Sequence, residues 1–156
     1  MKMFFLNFAT SAIIVFVCLG CFKHDSNLSI RGNWRTKDLT DKGKVYQEIY
    51  IDDNTITSFA SDIREVSYSF FYKRKGDLLY FINDNEIDTI GMMKYKITNG
   101  ELKLILSDSV STEYVRISNS SDILLKDYLI KDEITIIKYL KDFDKRFDSL
   151  NKSRYY

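Results

Sequence analysis

The chain has 156 residues, enough for one domain with a sizeable core, and its 23 Lys and Arg nearly balance its 22 Asp and Glu. That balance removes the electrostatic case for nucleic acid, which needs a basic surface to displace counterions. Two cysteines and one histidine leave no framework of disulfides, so the core must hold by packing, for which Phe and Tyr are abundant.

Met1 to Gly20 sets Lys2 before an apolar run and ends in Cys18-Leu19-Gly20-Cys21. A short basic start, an apolar segment and small residues at the cleavage point are the parts of a secretory signal. The Leu-Gly-Cys ending resembles the lipobox of bacterial lipoproteins, although Cys18 stands where that signal usually has Leu. The resemblance implies that residues 1–20 are a signal peptide and that Cys21 is lipidated and becomes the mature N-terminus. The protein would then be held by lipid at the cell envelope, most simply at the outer membrane. A transmembrane helix from Met3 to Phe22 is the competing reading, diluted by Asn7, Thr10, Ser11 and Gly20. Lys2 is the only charge before Cys21, so the remainder is formally neutral, and with Cys21 carrying lipid no cysteine is left to pair. Residues 21–30 read as a polar tether.

Period-two patterns dominate from Arg31 onward. A short strand surrounds Trp34. Val45 to Ile51 sets Val45, Ile49 and Ile51 on one face and Tyr46 and Tyr50 on the other, before a turn at Asp52-Asp53-Asn54. Thr55 to Phe59 alternates, and Val66, Tyr68, Phe70 and Tyr72 share one side of the next strand. Lys73-Arg74-Lys75-Gly76-Asp77 turns the chain into Leu78 to Ile82, and Met93, Tyr95 and Ile97 form another stripe. Asn99-Gly100, two residues that tolerate positive φ, is the strongest hairpin signal and leads into Leu102, Leu104 and Leu106. The last strand runs from about Thr112 to Ser118. Eight or nine short antiparallel strands joined by local turns predict an up-and-down meander closed into a barrel over residues 31–118.

The period changes at Asn119-Ser120-Ser121-Asp122, a cluster of helix N-caps, after which Ile123 to Leu129 reads as a short helix. Beyond Asp132, another cap, Ile137, Leu140, Phe143, Phe147 and Leu150 recur at helical spacing, with Lys138, Asp142 and Arg146 expected on the exposed side. Residues 119–156 are thus expected to supply an amphipathic C-terminal helix that packs on the barrel or covers one end. A helix for binding a partner fits the same periodicity.

Gly32-Asn33-Trp34 resembles the Gly-x-Trp motif of lipocalins and of bacterial lipocalin-like lipoproteins. Glu48-Ile49-Tyr50-Ile51-Asp52-Asp53, Gly76-Asp77-Leu78-Leu79-Tyr80, the Tyr95-Lys96-Ile97 to Glu101-Leu102-Lys103-Leu104 hairpin and Tyr114-Val115-Arg116 are similar to successive strands of the latter group. The Thr-Asp-Tyr motif of true lipocalins is not evident. The resemblance implies that Trp34 plugs a closed end, that Arg116 lies across its ring, and that Gly32 lets the backbone approach. The candidate ligand-lining residues, taken from the inward stripes, are Tyr68, Phe70, Tyr72, Tyr80, Met93 and Tyr95, with Ile82 beside them. Side chains that simply fill the barrel are the alternative.

Catalysis has little support. His24 lies in the tether, and a Ser/His/Asp triad needs a histidine in the folded part. The carboxylates of Asp52-Asp53 and of Asp84, Glu86 and Asp88 fall in turns, where Asp is favoured for backbone reasons. Calcium over Asn83 to Asp88 is weakly suggested, since the segment lacks the spacing and the glycine of an EF-hand. The basic turn Lys73-Arg74-Lys75 is either a solvated tip or a contact for lipid headgroups. No metal, cofactor or nucleic-acid site is expected. The expected function is non-catalytic binding of a small apolar ligand by a membrane-anchored lipoprotein. The alternative is a protein-binding inhibitor or immunity-type lipoprotein.

Overall fold

The computed structural model describes residues 29–39, 45–83, 88–118, 121–130 and 132–153. The expected signal and lipobox with Cys21, His24 and most of the expected tether, Asp84 and Glu86 of the expected acidic turn, and the expected caps Asn119 and Ser120 lie outside the described residues.

Eight strands form one closed antiparallel barrel in sequence order: β1 Gly32–Thr36, β2 Gln47–Ile51, β3 Thr55–Ala60, β4 Glu65–Lys75, β5 Leu78–Ile82, β6 Thr89–Thr98, β7 Glu101–Ser107 and β8 Val110–Arg116. Closure sets Trp34 opposite Arg116 and Arg35 opposite Val115, so no edge is left unpaired. Asn99 and Gly100 both take positive φ, 53° and 78°, in the tight turn between β6 and β7, as the Asn-Gly pair requires. Asp52 builds the β2–β3 turn: one carboxylate oxygen accepts from the Asn54 and Thr55 amides at 2.9 and 2.7 Å, and the other accepts from the Thr55 hydroxyl at 2.7 Å. Burial acts upward on that carboxyl, but these hydrogen bonds outweigh it and hold Asp52 below its ordinary range.

Inside the barrel, Trp34, Ile49, Ile51, Ile56, Tyr72, Leu79, Leu102, Leu104 and Tyr114 make one apolar cluster, with Ile30 beneath. A second cluster lies on the outer wall. There Tyr46, just before β2, and Phe59 of β3 meet Leu125 of the short helix α1 (Leu125–Tyr128) and Tyr139 and Phe143 of α2 (Glu133–Lys152). Asp132 caps α2 by accepting from the Thr135 amide at 2.9 Å, which satisfies one of the helix's orphan donors. Asn33 of β1 accepts from the Lys126 amide at 3.2 Å and ties α1 to the barrel.

Four expectations are corrected. Val66 does not share a face with Tyr68: the β3–β4 register shifts between Ser58 and Phe59, leaving Ser67 as an extra residue. This bulge sends Val66 to the helix-side cluster while Tyr68 packs inside. On β5 the residues packed with the inner cluster are Leu79 and Phe81, not Tyr80 and Ile82. Leu78 to Ile82 is apolar or aromatic throughout, so its alternation carries no phase. On α2 the fully buried residues are Tyr139 and Phe143, whereas Ile137 is 60% exposed. Arg146, expected in solvent, has a side chain only 10% exposed, because Glu48 of the barrel wall draws it in.

Candidate ligand cavity

One end of the barrel is plugged. The Trp34 indole is fully buried, its Nε1 donates to the Ile30 carbonyl at 2.8 Å, and the Arg116 guanidinium lies 4.2 Å from the ring centroid. Arg116 also donates to the carbonyls of Arg31 and Ser29, at 2.8 and 2.5 Å. A guanidinium over indole adds about 0.5–2 kcal/mol beyond packing. Gly32 takes φ +132°, and a side chain there would run into the Arg116 guanidinium, so this glycine serves a close approach.

Away from this plug the interior is incomplete. A cavity of about 290 Å³, open to solvent, is walled by Ile56, Tyr68, Phe70, Phe81, Met93 and Leu104, just below the ~300–1,000 Å³ usual for small-molecule sites. Gly91 stands directly opposite Phe81 across the β5–β6 ladder, and a Cβ built on it meets nothing within 4 Å. Gly91 thus adds no side chain to this wall of the cavity. Register shifts leave Ile90 on β6 and Leu106 on β7 as extra residues, and both line the opening while 58% and 62% exposed. Such bulges collect at barrel rims and re-aim side chains. Tyr68 and Phe70 stack at 5.4 Å between centroids, and Phe70 meets Phe81 edge-on at 5.7 Å. The wall can offer dispersion and aromatic contact but little polar anchoring.

Of the six candidate lining residues, Tyr68, Phe70 and Met93 line the cavity. Tyr72 is packed in the core and donates from its hydroxyl to the Asp52 carbonyl at 2.8 Å. Tyr95 packs on the inner cluster, with its hydroxyl 3.2 Å from the Gly76 carbonyl. Tyr80, between two inward residues, turns to the outer wall. Ile56, Phe81, Ile90, Gly91, Leu104 and Leu106 escaped the sequence reading. A glycine interrupting an apolar strand at Thr89-Ile90-Gly91-Met92-Met93 was the available signal.

A buried ionic cluster on the helix side also escaped it. Glu48, fully buried, accepts from the Tyr46 hydroxyl at 2.7 Å, the Tyr139 hydroxyl at 3.1 Å, and Arg146 Nε and Nη2 at 2.7 and 3.1 Å. Arg146 reaches Asp122 as well, at 3.2 Å. Burial, then the Glu48 charge, push the Tyr46 and Tyr139 hydroxyls far above their ordinary pKa. With both carboxylate oxygens and the guanidinium occupied, the cluster is a fastening for α2 and holds no open position for a substrate. Among the described residues no group of three or more His, Cys, Asp and Glu could hold a metal, and no helix is long and apolar enough to cross a membrane.

The chain is thus a closed eight-stranded up-and-down antiparallel barrel with a C-terminal helix. No protein-family model, curated protein or solved structure matches it.

Proposed function

We propose that this protein is a lipid-anchored envelope lipoprotein whose barrel binds a small apolar ligand without catalysis. The observation that carries the binding reading is the apolar cavity lined by Tyr68, Phe70, Phe81 and Met93, where Gly91 leaves room. Support for the anchor comes from the sequence, in the signal-like residues 1–20 and the Leu-Gly-Cys ending at Cys21. An aliphatic chain or a small apolar ring system suits the wall, since nothing there rewards a charged ligand.

Native mass spectrometry of the full chain, released from its own membranes in mild detergent, tests the binding. A reproducible extra mass of lipid size, lost in Gly91→Phe, supports it. A bare mass, together with equal uptake of a fluorescent apolar probe by both proteins, overturns it. For the anchor, Cys21→Ser should abolish lipid labelling and free the protein from membranes.

A second reading, a protein-binding inhibitor or immunity-type factor, is favoured by Ile130, Ile134 and Ile137. These are 71%, 66% and 60% exposed; Ile134 and Ile137 lie three apart on α2, and Ile130 stands in the turn before it. Ile134→Lys with Ile137→Lys would abolish cross-linking to a partner under this reading and leave ligand uptake unchanged under the first.

A further inference from the structure

A second concavity, about 470 Å³, lies outside the barrel between α2 and strands β1 and β8, and shares no lining residue with the apolar cavity. Four cations line it: Arg35 from β1, Arg116 from β8, and Lys145 and Arg146 from α2. Asp122 is the one acid in the lining. Arg146 is committed to Glu48 and Asp122, and Arg116 to the Trp34 ring and two carbonyls. Arg35 donates to the Thr36 carbonyl at 3.1 Å, and neither it nor Lys145 has a carboxylate partner among the described residues.

Docking α2 on the barrel therefore gathers more positive charge than the groove neutralises. Like charges held in a concave, partly desolvated site repel one another and raise the local concentration of anions. A guanidinium fork, an ammonium and the nearby hydroxyls of Ser118 and Ser149 are the donor set that a tetrahedral oxyanion accepts from. We propose that this groove binds a phosphate group, with Arg35 and Lys145 supplying the charge that the ligand meets. A phosphate has several acceptor oxygens and more than one negative charge, so it can engage cations arriving from both the strand and the helix.

The test is calorimetric titration of the full chain with inorganic phosphate and, separately, with glycerol phosphate; glycerol is the neutral control. Saturable binding of both phosphates with equal affinity identifies the free ion as the ligand. Markedly tighter binding of glycerol phosphate identifies a phosphoester such as a lipid headgroup. In either case Arg35→Gln with Lys145→Gln should weaken binding about tenfold or more. Arg35→Lys should keep most of it, and Lys141→Gln, on the same helix but outside the groove, should change nothing. If the double variant loses its near-ultraviolet dichroism, Lys145→Gln alone, at an exposed position, still has to weaken binding. No saturable binding of either phosphate by the unaltered protein overturns the proposal, as does equal binding by the charge-stripped variants.

Discussion

Trp34, Glu48 and Gly91 show three different things that a single residue can do for a barrel. Trp34 fills space, and Trp34→Ala should cost about 3–5 kcal/mol in urea denaturation, as large core truncations do; a loss near zero would deny the plug. Glu48 and Arg146 hold charge where water is excluded. Arg146→Met strands the carboxylate and should cost about 3–5 kcal/mol, while Glu48→Leu with Arg146→Met should recover most of that loss. Two tyrosines at this pair, Tyr46 and Tyr139, and a third inside the barrel, Tyr114, set an alkaline limit. Tyr46, Tyr114 and Tyr139 have pKa values raised above the ordinary 10.0, with burial the leading cause. Their contribution is complete below that value and is lost as pH rises beyond it, when the unfolded chain releases protons that the fold retains. Tyrosinate absorbance from these three should therefore appear together with unfolding, not ahead of it. Gly91 works by what it lacks: Gly91→Phe should fold, hold or raise the melting temperature, and exclude apolar probes.

At the scale of elements, the strands and turns were legible because each carries a local signature. Asn99-Gly100 demands positive φ at two successive positions, Asp52 ties its own turn, and Asp132 caps the long helix, all from neighbours within a few residues. Facing was less legible. Leu78 to Ile82 has no polar position to set the phase, and the bulge at Ser67 reverses the phase of β4 part-way along. Nothing in the sequence of β4 alone marks that extra residue, because it exists only relative to Ser58 and Phe59 across the ladder. Deleting Ser67 should therefore do more harm than a surface deletion. The continuous strand must turn either Val66 from the helix or Tyr68 from the interior, and the melting temperature should fall by several degrees. The inward turn of Arg146 was hidden for a related reason. Its partner Glu48 lies almost a hundred residues earlier, and only the positions of Tyr139, Phe143 and Arg146 on one helical face hinted that a charge would be buried with the rings.

For the whole molecule, the helix and the barrel share one wall and one buried ion cluster. Helices α1 and α2 are bound to the barrel by Tyr46, Phe59 and Glu48, whose other partners are the barrel's own strands. A chain ending at residue 118 would expose two large rings and a carboxylate meant for a guanidinium. It should be poorly soluble, whereas the full chain should unfold in a single transition by both fluorescence and circular dichroism. A cavity was one of two expectations, and Tyr68, Phe70 and Met93 of its wall were legible in the stripes. The opening, by contrast, is set by a glycine and two extra residues at the rim, which no stripe marks.

The two ends of the cylinder are also unlike in a way that bears on traffic. The chain enters at the plugged end, where Ser29 and Ile30 run beneath Arg116 and Trp34, and the opening lies toward the far rim, beside Ile90 and Leu106. A cup fastened by its base to a surface faces the surroundings. Under the proposed anchor at Cys21, the barrel would present its opening to the medium, so cargo would be caught in passing and not drawn up from the sheet of lipid below.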